Sequence, residues 1–411
     1  MPRAQPPDGV DRHRLRRVAA LATSLSAVIA TSVVAGPATA AELARSCALT
    51  RTGAHHSEGV NTWNRAYPRP TRALNAVMVF LSFPDSAPMS DPRRLAADYF
   101  PATSGFFRRA SYGRFTLRPH VQPRWVRMPR DSDAYGIRRD WDAARRTAYL
   151  NDAVAAADAS VDFHRYDVVY FVADPDAPGV DSDATKVVNL ERPLRADRAE
   201  LSRFVTVFER TPPDRNVLAH ETGHVFDLPD LYHRPEDGEG DWDTHVGDWD
   251  LMGSQFGLAP DPFAWHKWKL GWLGTRQVGC VTPGSGEPHT LRPLGAPMDA
   301  GDERRSRLLV VRTGRTGALA IEARAAVGND QGLCTEGVLV YRVHSATASG
   351  DGPIQVLDGH PATEACWGTS VYPALADAPL GVGEDLEADS VRVRVTGRTV
   401  AGDWTVRVDR G

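Results

Sequence analysis

The chain has 411 residues, of which 42% are hydrophobic and 24% are charged, a composition that excludes wholesale disorder. This length allows one large domain and a smaller one, each with its own core. The formal net charge is −4 at pH 7, so electrostatics gives no reason to expect nucleic acid or an anionic membrane as a partner.

Residues 1–40 have the layout of a secretory signal peptide. Four arginines within residues 12–17 precede an apolar stretch over 18–35, and Ala38-Thr39-Ala40 offers a cleavage site. A membrane anchor is the alternative, but the small residues at the end of the stretch and the lack of another long apolar run favour cleavage. We therefore expect a secreted, extracellular protein with no membrane association after cleavage.

Strands interleaved with helices are predicted for the part of the chain that follows. Residues 41–72 are rich in polar residues and proline, and we expect them to form an extended N-terminal segment. Apolar or alternating runs predict strands at 73–83, 114–119, 166–172 and 204–209, and helical spacing predicts helices at 105–110 and 141–157. This alternation indicates an α+β or α/β catalytic domain over 73–275.

The pattern changes after residue 272. Short alternating runs separated by glycine and proline clusters appear at 308–312, 318–322, 337–343, 391–396 and 404–408. Such spacing is typical of sandwiches, so it predicts a β-sandwich-like C-terminal domain over residues 276–411.

Residues 220–230 read HETGHVFDLPD and begin with the pattern H-E-x-x-H. Residues 215–226 are predicted to form a helix, on which His220 and His224 lie one turn apart on the same face. That spacing lets two imidazole nitrogens reach a single Zn²⁺ ion. Glu221, beside the first ligand, can take a proton from water and act as a general base.

A zinc site of this kind needs a third protein ligand. If the helix ends near residue 226 and the chain reverses, Asp230 can return to the metal, and a carboxylate is an acceptable zinc ligand. The reversal needs a residue with positive φ, and Asp227 tolerates that conformation better than most residues other than glycine. Four other side chains remain as alternatives for the third ligand: Asp227, His233, Asp248 and Asp250.

Further motifs surround this helix. They are LPDLY at 228–232, VGDWDLMGS at 246–254, KWKLGW at 267–272, FF at 106–107, SYGRF at 111–115, and the run from 321 to 343. Together with H-E-x-x-H they make residues 73–345 similar to the immune inhibitor A-type family of secreted zinc metallopeptidases, within the metzincin-like zincins.

The resemblance implies a zincin catalytic domain with an H-E-x-x-H helix and Glu221 as the general base. It implies three zinc ligands, His220, His224 and Asp230. Met252 is expected in the Met-turn, as an apolar floor beneath the metal. The main departure from the family is Asp227, where the family generally has glycine.

Transition-state stabilisation by a group other than zinc is also expected. Tyr232, His245 and His266 are the candidates, and each could instead be a structural hydrogen-bonding residue. The acidic loop at 236–243 and a weaker one at 174–183 could hold Ca²⁺. A solvated acidic loop is the alternative there, because neither has the spacing of an EF-hand.

Four cysteines remain after removal of the signal peptide, and an even number in an exported protein suggests two disulfides. Cys334 and Cys366 lie in the same region and are the favoured pair, which leaves Cys47 with Cys280. A thiolate of Cys47 that binds zinc and keeps the enzyme latent is the alternative role for that residue.

These features predict a secreted, monomeric zinc-dependent endopeptidase that acts on protein or peptide substrates. A non-catalytic binding protein on a zincin scaffold is a second hypothesis, although the intact Glu221 argues against it. A zinc amidase or esterase is a third hypothesis, which the sequence does not separate from proteolysis.

Overall fold

The protein is a mixed α/β structure with several sheets and few helices. Its computed structural model describes residues 44, 46–235, 239–284, 286–299 and 301–410. The predicted signal peptide and residues 236–238 of the acidic loop lie outside the described residues. Within the described ranges, no helix is long and apolar enough to cross a membrane.

The helices are short and lie mostly in the first two thirds of the chain. Those that lie wholly within the described residues are α1 (Pro92–Tyr99), α2 (Ala102–Ala110), α3 (Ala143–Ala157), α4 (Val217–Val225), α5 (Ala264–Leu270) and α6 (Pro373–Ala376).

The first sheet is mainly parallel. It contains β1 (Ala73–Ser82), β2 (Thr116–Val121), β3 (Val126–Arg127), β4 (Val168–Ala173), β5 (Lys186–Ala196) and β6 (Ala199–Val207). The order is β2-β1-β4-β6-β5, with β3 also paired to β1, and β5 is the antiparallel edge strand. Alternate residues of β1 enter two different clusters: Phe80 packs with the residues of α4, and Val79 with those of α3. The central strands are therefore buried on both faces, as is usual for parallel sheets.

The C-terminal part forms two further sheets. The strands are β7 (Val278–Cys280), β8 (His289–Leu291), β9 (Leu308–Arg312), β10 (Gly317–Arg324), β11 (Gly337–His344), β12 (Ile354–Val356), β13 (Asp385–Ala388), β14 (Val391–Arg398) and β15 (Trp404–Arg410). One sheet has the order β12-β11-β10-β9-β7, and the other has the order β13-β14-β15-β8.

The sheet built around β10 is covered on both faces. Ile321 packs with Val393 and Val406 of the last sheet, whereas Ala320 belongs to the cluster that also contains the residues of α4. Every residue of β10 is consequently buried. Hydrophobic packing is therefore continuous across residue 275, where the sequence predicts a domain boundary.

The N-terminal segment contributes to the core although it contains little regular structure. Cys47, Leu49, His56 and Glu58 are buried. Glu58 accepts a hydrogen bond from His266 Nε2 at 2.8 Å and lies 3.4 Å from Lys269 Nζ of α5. This stretch is polar because its side chains pair with buried charges elsewhere in the chain.

The four cysteines lie in two separate pairs. Cys334 and Cys366 form a disulfide, as predicted. The Cys47 thiol interacts with the Cys280 thiol, and this contact, together with burial, raises the pKa of Cys47. Cys47 therefore lies against Cys280 rather than among the candidate metal ligands.

Under oxidising conditions, we expect Cys47 and Cys280 to be joined by a disulfide, because their thiols are in contact. Mass spectrometry of an unreduced digest should give a Cys47–Cys280 crosslinked peptide that disappears on reduction. The Cys334–Cys366 peptide in the same digest serves as the control. Alkylation of both Cys47 and Cys280 without prior reduction would contradict this prediction.

Candidate metal centre

Helix α4 supplies the first two candidate ligands. It begins at Val217 because Asn216 adopts a left-handed conformation with φ of 61°, and the Asn216 carbonyl accepts a hydrogen bond from the backbone N–H of His220 at 2.9 Å. All nine residues of this helix are buried. The sequence predicts a start two residues earlier, because the left-handed conformation of Asn216 leaves no mark in the hydrophobic pattern.

Both histidines are oriented by backbone carbonyls. His220 Nδ1 lies 2.9 Å from the Leu251 carbonyl oxygen, and His224 Nδ1 lies 2.8 Å from the Leu228 carbonyl oxygen. A carbonyl oxygen can only accept, so each Nδ1 carries the proton and each Nε2 presents a lone pair. This tautomer is the one that a metal-binding histidine requires.

Asp230 completes a cluster of three convergent groups. Asp230 Oδ1 lies 3.4 Å from His220 Nε2 and 3.0 Å from His224 Nε2. All three candidate ligand atoms lie within 4.8 Å of one another. The oxygen Oδ1 is buried and accepts no hydrogen bond within the described part of the chain. Three lone pairs that point at one another require a cation or a proton between them.

The chemistry of these donors fits zinc. Two imidazole nitrogens and one carboxylate oxygen are a common protein ligand set for a catalytic zinc ion. Without a metal, a proton must separate the imidazole nitrogens from the carboxylate. Burial disfavours the charged form of His224, but the neighbouring Asp230 outweighs burial and raises the pKa of His224 to about 9. Burial alone would raise the pKa of Asp230, whereas the two histidines hold it well below its usual range.

Asp227 forms the reversal that returns the chain to the histidines. Its φ is 66°, in the left-handed region that normally favours glycine. Its buried carboxylate accepts hydrogen bonds from Arg51 Nη2 at 2.6 Å and from His56 Nδ1 at 2.9 Å. Arg51 and His56 of the N-terminal segment thus bind the carboxylate of Asp227, which a glycine at this turn would not provide.

Ser349 fixes Asp230 from the loop between β11 and β12. The Asp230 backbone N–H donates to Ser349 Oγ at 2.8 Å, and Ser349 Oγ donates to Asp230 Oδ2 at 3.2 Å. The Gly350 backbone N–H also donates to the Asp230 carbonyl oxygen at 3.0 Å. No local sequence signal marks this serine, because it lies 119 positions away from the aspartate.

Glu221 lies beside the cluster and against the edge strand. Its Oε2 accepts a hydrogen bond from the backbone N–H of Val187 at 2.6 Å. Burial raises the pKa of Glu221 above its usual range. A carboxylate that is more basic than usual, next to a candidate metal ligand, is suited to accept a proton.

Met252 packs under helix α4. A Cβ atom on Gly223 would lie 2.5 Å from the Met252 sulfur, so the glycine allows the helix to rest on this methionine. Met252 is completely buried, and its carbonyl accepts the backbone N–H of Leu231 at 2.9 Å. It is therefore positioned between the helix and the segment that carries Asp230.

The three candidate stabilising residues have different surroundings. Tyr232 lines the cleft, and its ring centroid is 6.5 Å from that of His220. His245 contacts the ring of His233 at 5.1 Å and does not line that cleft. His266 is completely buried between two carboxylates, 2.9 Å from Asp250 Oδ2 and 2.8 Å from Glu58 Oε1.

His266 is a structural residue in this arrangement. Burial lowers the tendency of His266 to be charged, but the carboxylates of Asp250 and Glu58 outweigh burial and raise the pKa of His266 to about 9. Both ring nitrogens are occupied, so this imidazole cannot reach a substrate. Of the three candidates, Tyr232 is the one that the structure brings to the cleft.

The alternative third ligands are engaged elsewhere. Asp227 pairs with Arg51, and Asp250 accepts from His266. Asp248 accepts hydrogen bonds from Ser370 and from the backbone of Leu258. Among the described residues, the one group of converging histidine, cysteine or carboxylate ligands is His220, His224 and Asp230. Calcium binding by the acidic loops stays a prediction.

The cluster opens into a cleft that adjoins two further cavities. A cavity of about 460 Å³ contains His220, Glu221, His224 and Asp230 in its lining. It shares Glu221 with a second cavity of about 440 Å³, and His224 and Asp230 with a third of about 170 Å³. A chain lying in the first cavity would pass the candidate metal centre and could extend into the adjoining cavities.

Comparisons with known proteins give little guidance for this chain. No protein-family model matches it, and no curated protein matches it. One solved structure with a partial likeness is that of wild-type OgpA from Akkermansia muciniphila, at 12% sequence identity and a TM-score of 0.27. The alignment covers 81% of this chain and 92% of that chain. A TM-score this low supports no conclusion about fold or function.

Proposed function

We propose that the protein is a secreted zinc-dependent endopeptidase of the immune inhibitor A type, with a metzincin-like zincin catalytic domain. The observation that carries the proposal is the convergence of His220, His224 and Asp230 beside the buried carboxylate of Glu221. Zinc held by these residues would supply a Lewis acid that polarises a carbonyl group and makes water more acidic.

Glu221 performs the proton transfers in this proposal. The Val187 N–H holds Oε2, so Oε1 is the oxygen that we assign to the transferred proton. Glu221 takes a proton from the attacking water and then delivers it to the departing amine. Tyr232 is the residue that we assign to the oxyanion, because it is the candidate that lines the cleft.

The form of the cleft favours cleavage within a chain. An exopeptidase needs a closed end that recognises a terminus, whereas here the cavity at the metal centre adjoins two further cavities that share its lining residues. The same form favours a peptidase over an amidase or esterase acting on small substrates. The intact Glu221 favours an enzyme over a non-catalytic binding protein.

Casein hydrolysis by the purified mature chain tests the proposal. We expect clearing that is abolished by a chelator and restored by zinc. Peptides cleaved at internal positions should appear in the mass spectrum of the products. Hydrolysis of small amides or esters, while casein remains uncleaved, would favour the amidase or esterase instead. No hydrolysis of any of these substrates would favour the binding protein.

Ser349→Ala should weaken zinc binding without removing a ligand. Loss of a residue that orients a metal ligand typically lowers metal affinity by about 10- to 100-fold. Competition with a chromogenic chelator measures the zinc dissociation constant directly. Ser349→Thr, which retains the hydroxyl, should recover most of the affinity.

A matched control for this experiment is Ser370→Ala. Ser370 also donates to a buried aspartate, but that aspartate is Asp248, which lies outside the cluster of His220, His224 and Asp230. Zinc affinity should remain unchanged in this variant. Equal zinc affinity in Ser349→Ala and the wild type would show that Ser349 does not position Asp230.

A further inference from the structure

Three cations line the cleft beside the candidate metal centre. Arg139, Lys186 and Arg234 come from three separate segments of the chain. Arg139 precedes α3, Lys186 begins the edge strand β5, and Arg234 follows the segment that carries Asp230. Lys186 Nζ donates to the Arg139 carbonyl oxygen at 2.5 Å, which joins two of these segments.

Trp242 brings two of the cations next to each other. Its ring centroid lies 4.9 Å from Arg139 Cζ and 5.9 Å from Arg234 Cζ. A guanidinium group near the face of a tryptophan is stabilised by the ring without losing its charge. The ring therefore supports two positive groups at one place in the cleft.

Lys186 adds a third positive group. Burial lowers the pKa of Lys186, and repulsion from Arg146 and Arg234 lowers it further, against opposing effects of Glu221 and Asp140. Lys186 and Arg234 are thus close enough to repel each other. Such a cluster favours the binding of an anion.

Few of the carboxylates nearby form direct ion pairs with these cations in the described part of the chain. Among the described residues, these cations form one ion pair, between Arg234 and Asp140 at 3.5 Å. The side chains of Arg234 and Asp140 are 57% and 87% exposed. Exposed pairs of this kind are weak. Asp183 and Asp243 also line the cleft, but burial and neighbouring carboxylates raise the pKa of Asp243 to about 7, so it carries only part of its charge near neutral pH.

The cations are close to the catalytic groups. Lys186 directly precedes Val187, whose N–H contacts Glu221. The ring centroid of Tyr232 lies 5.3 Å from that of Trp242 and 6.5 Å from that of His220. Each residue of an extended peptide spans about 3.3 Å, so these cations lie within a few residues of a bond held at the metal centre.

We propose that Arg139, Lys186, Arg234 and Trp242 form a subsite that binds an acidic side chain of the substrate, within a few residues of the cleaved bond. The inference rests on the proposed endopeptidase function and specifies its substrate class as peptides with aspartate or glutamate near the cleavage site. Two guanidinium groups and an ammonium group bind a carboxylate through charge-assisted hydrogen bonds.

Binding can be measured separately from hydrolysis. The protein is the zinc-loaded Glu221→Gln variant, and the probes are fluorescently labelled ten-residue peptides of one neutral sequence. A single glutamate is moved through this sequence position by position, with glutamine at the same position as the reference. We expect glutamate to tighten binding by about tenfold at one or two positions, as one charge-assisted hydrogen bond would.

Two variants on the same background identify the residues responsible. The double substitution Arg139→Ala and Arg234→Ala should reduce the glutamate preference to less than about twofold, because it removes both guanidinium groups. Arg407→Ala, which removes an exposed arginine from β15, should leave the preference unchanged. Raising the ionic strength should weaken the preference in the parent variant, because salt screens exposed charges.

Equal binding of the glutamate and glutamine peptides at every position would overturn the proposed subsite, as would a preference that survives the double substitution. Hydrolysis of the same peptides by the wild type tests the proposed function independently. Selective binding of glutamate peptides that the zinc-loaded wild type never cleaves would support the acidic subsite and reject the endopeptidase.

Discussion

Glu221→Gln is expected to abolish hydrolysis while zinc remains bound. Glutamine has nearly the same shape as glutamate but cannot accept the proton from water, and loss of a general base typically lowers the rate by about 10²- to 10⁴-fold. The three candidate ligands are untouched by this substitution. The measurements are kcat on a peptide substrate and the zinc content per folded chain.

Glu387→Gln provides a matched control, because it is the same chemical change at a glutamate on β13 of the last sheet. Its kcat should equal that of the wild type. A Glu221→Gln variant that keeps more than about a tenth of the wild-type kcat would show that Glu221 is not the base.

The second large effect is expected for Asp230→Ala. This change removes the carboxylate whose buried Oδ1 approaches both histidines, so two ligands remain where a catalytic zinc site normally has three. The zinc dissociation constant should increase by more than the roughly 100-fold that accompanies loss of a residue supporting a ligand. Chelator competition measures it, and circular dichroism confirms that the variant is folded.

His233→Ala is the control for Asp230→Ala, because His233 was an alternative third ligand and its ring contacts His245 instead. Zinc affinity should be unchanged in this variant. If His233→Ala loses zinc and Asp230→Ala retains it, the ligand assignment is wrong.

Local sequence patterns predict the buried strands and the longer helices. The run predicted as a strand at 73–83 is observed as Ala73–Ser82, and the helix predicted at 141–157 is observed as Ala143–Ala157. Both elements carry their signal within a few residues, as a continuous apolar run or as helical spacing. Strand β5 is not predicted, because it is polar and lies at the edge of the sheet.

The positions of His220, His224 and Asp230 could be predicted from one short stretch of sequence. The residues that orient this site could not be predicted in the same way. Ser349 reaches Asp230, Arg51 reaches Asp227, and Val187 reaches Glu221 only through long-range packing. A single sequence contains no local pattern for such contacts. The sequence left His266 as either a stabilising or a structural residue, and long-range packing places it between two buried carboxylates rather than in the cleft.

Crystallographic data collected at the zinc absorption edge test the metal centre most directly. For the zinc-loaded chain, we predict one strong anomalous peak bonded to His220 Nε2, His224 Nε2 and a carboxylate oxygen of Asp230, each at about 2.0–2.2 Å. Asp230→Ala crystals soaked in the same zinc concentration should show this peak weakened or absent. A peak bonded to other side chains, or no peak in fully zinc-treated wild-type crystals, would contradict the proposed zinc centre.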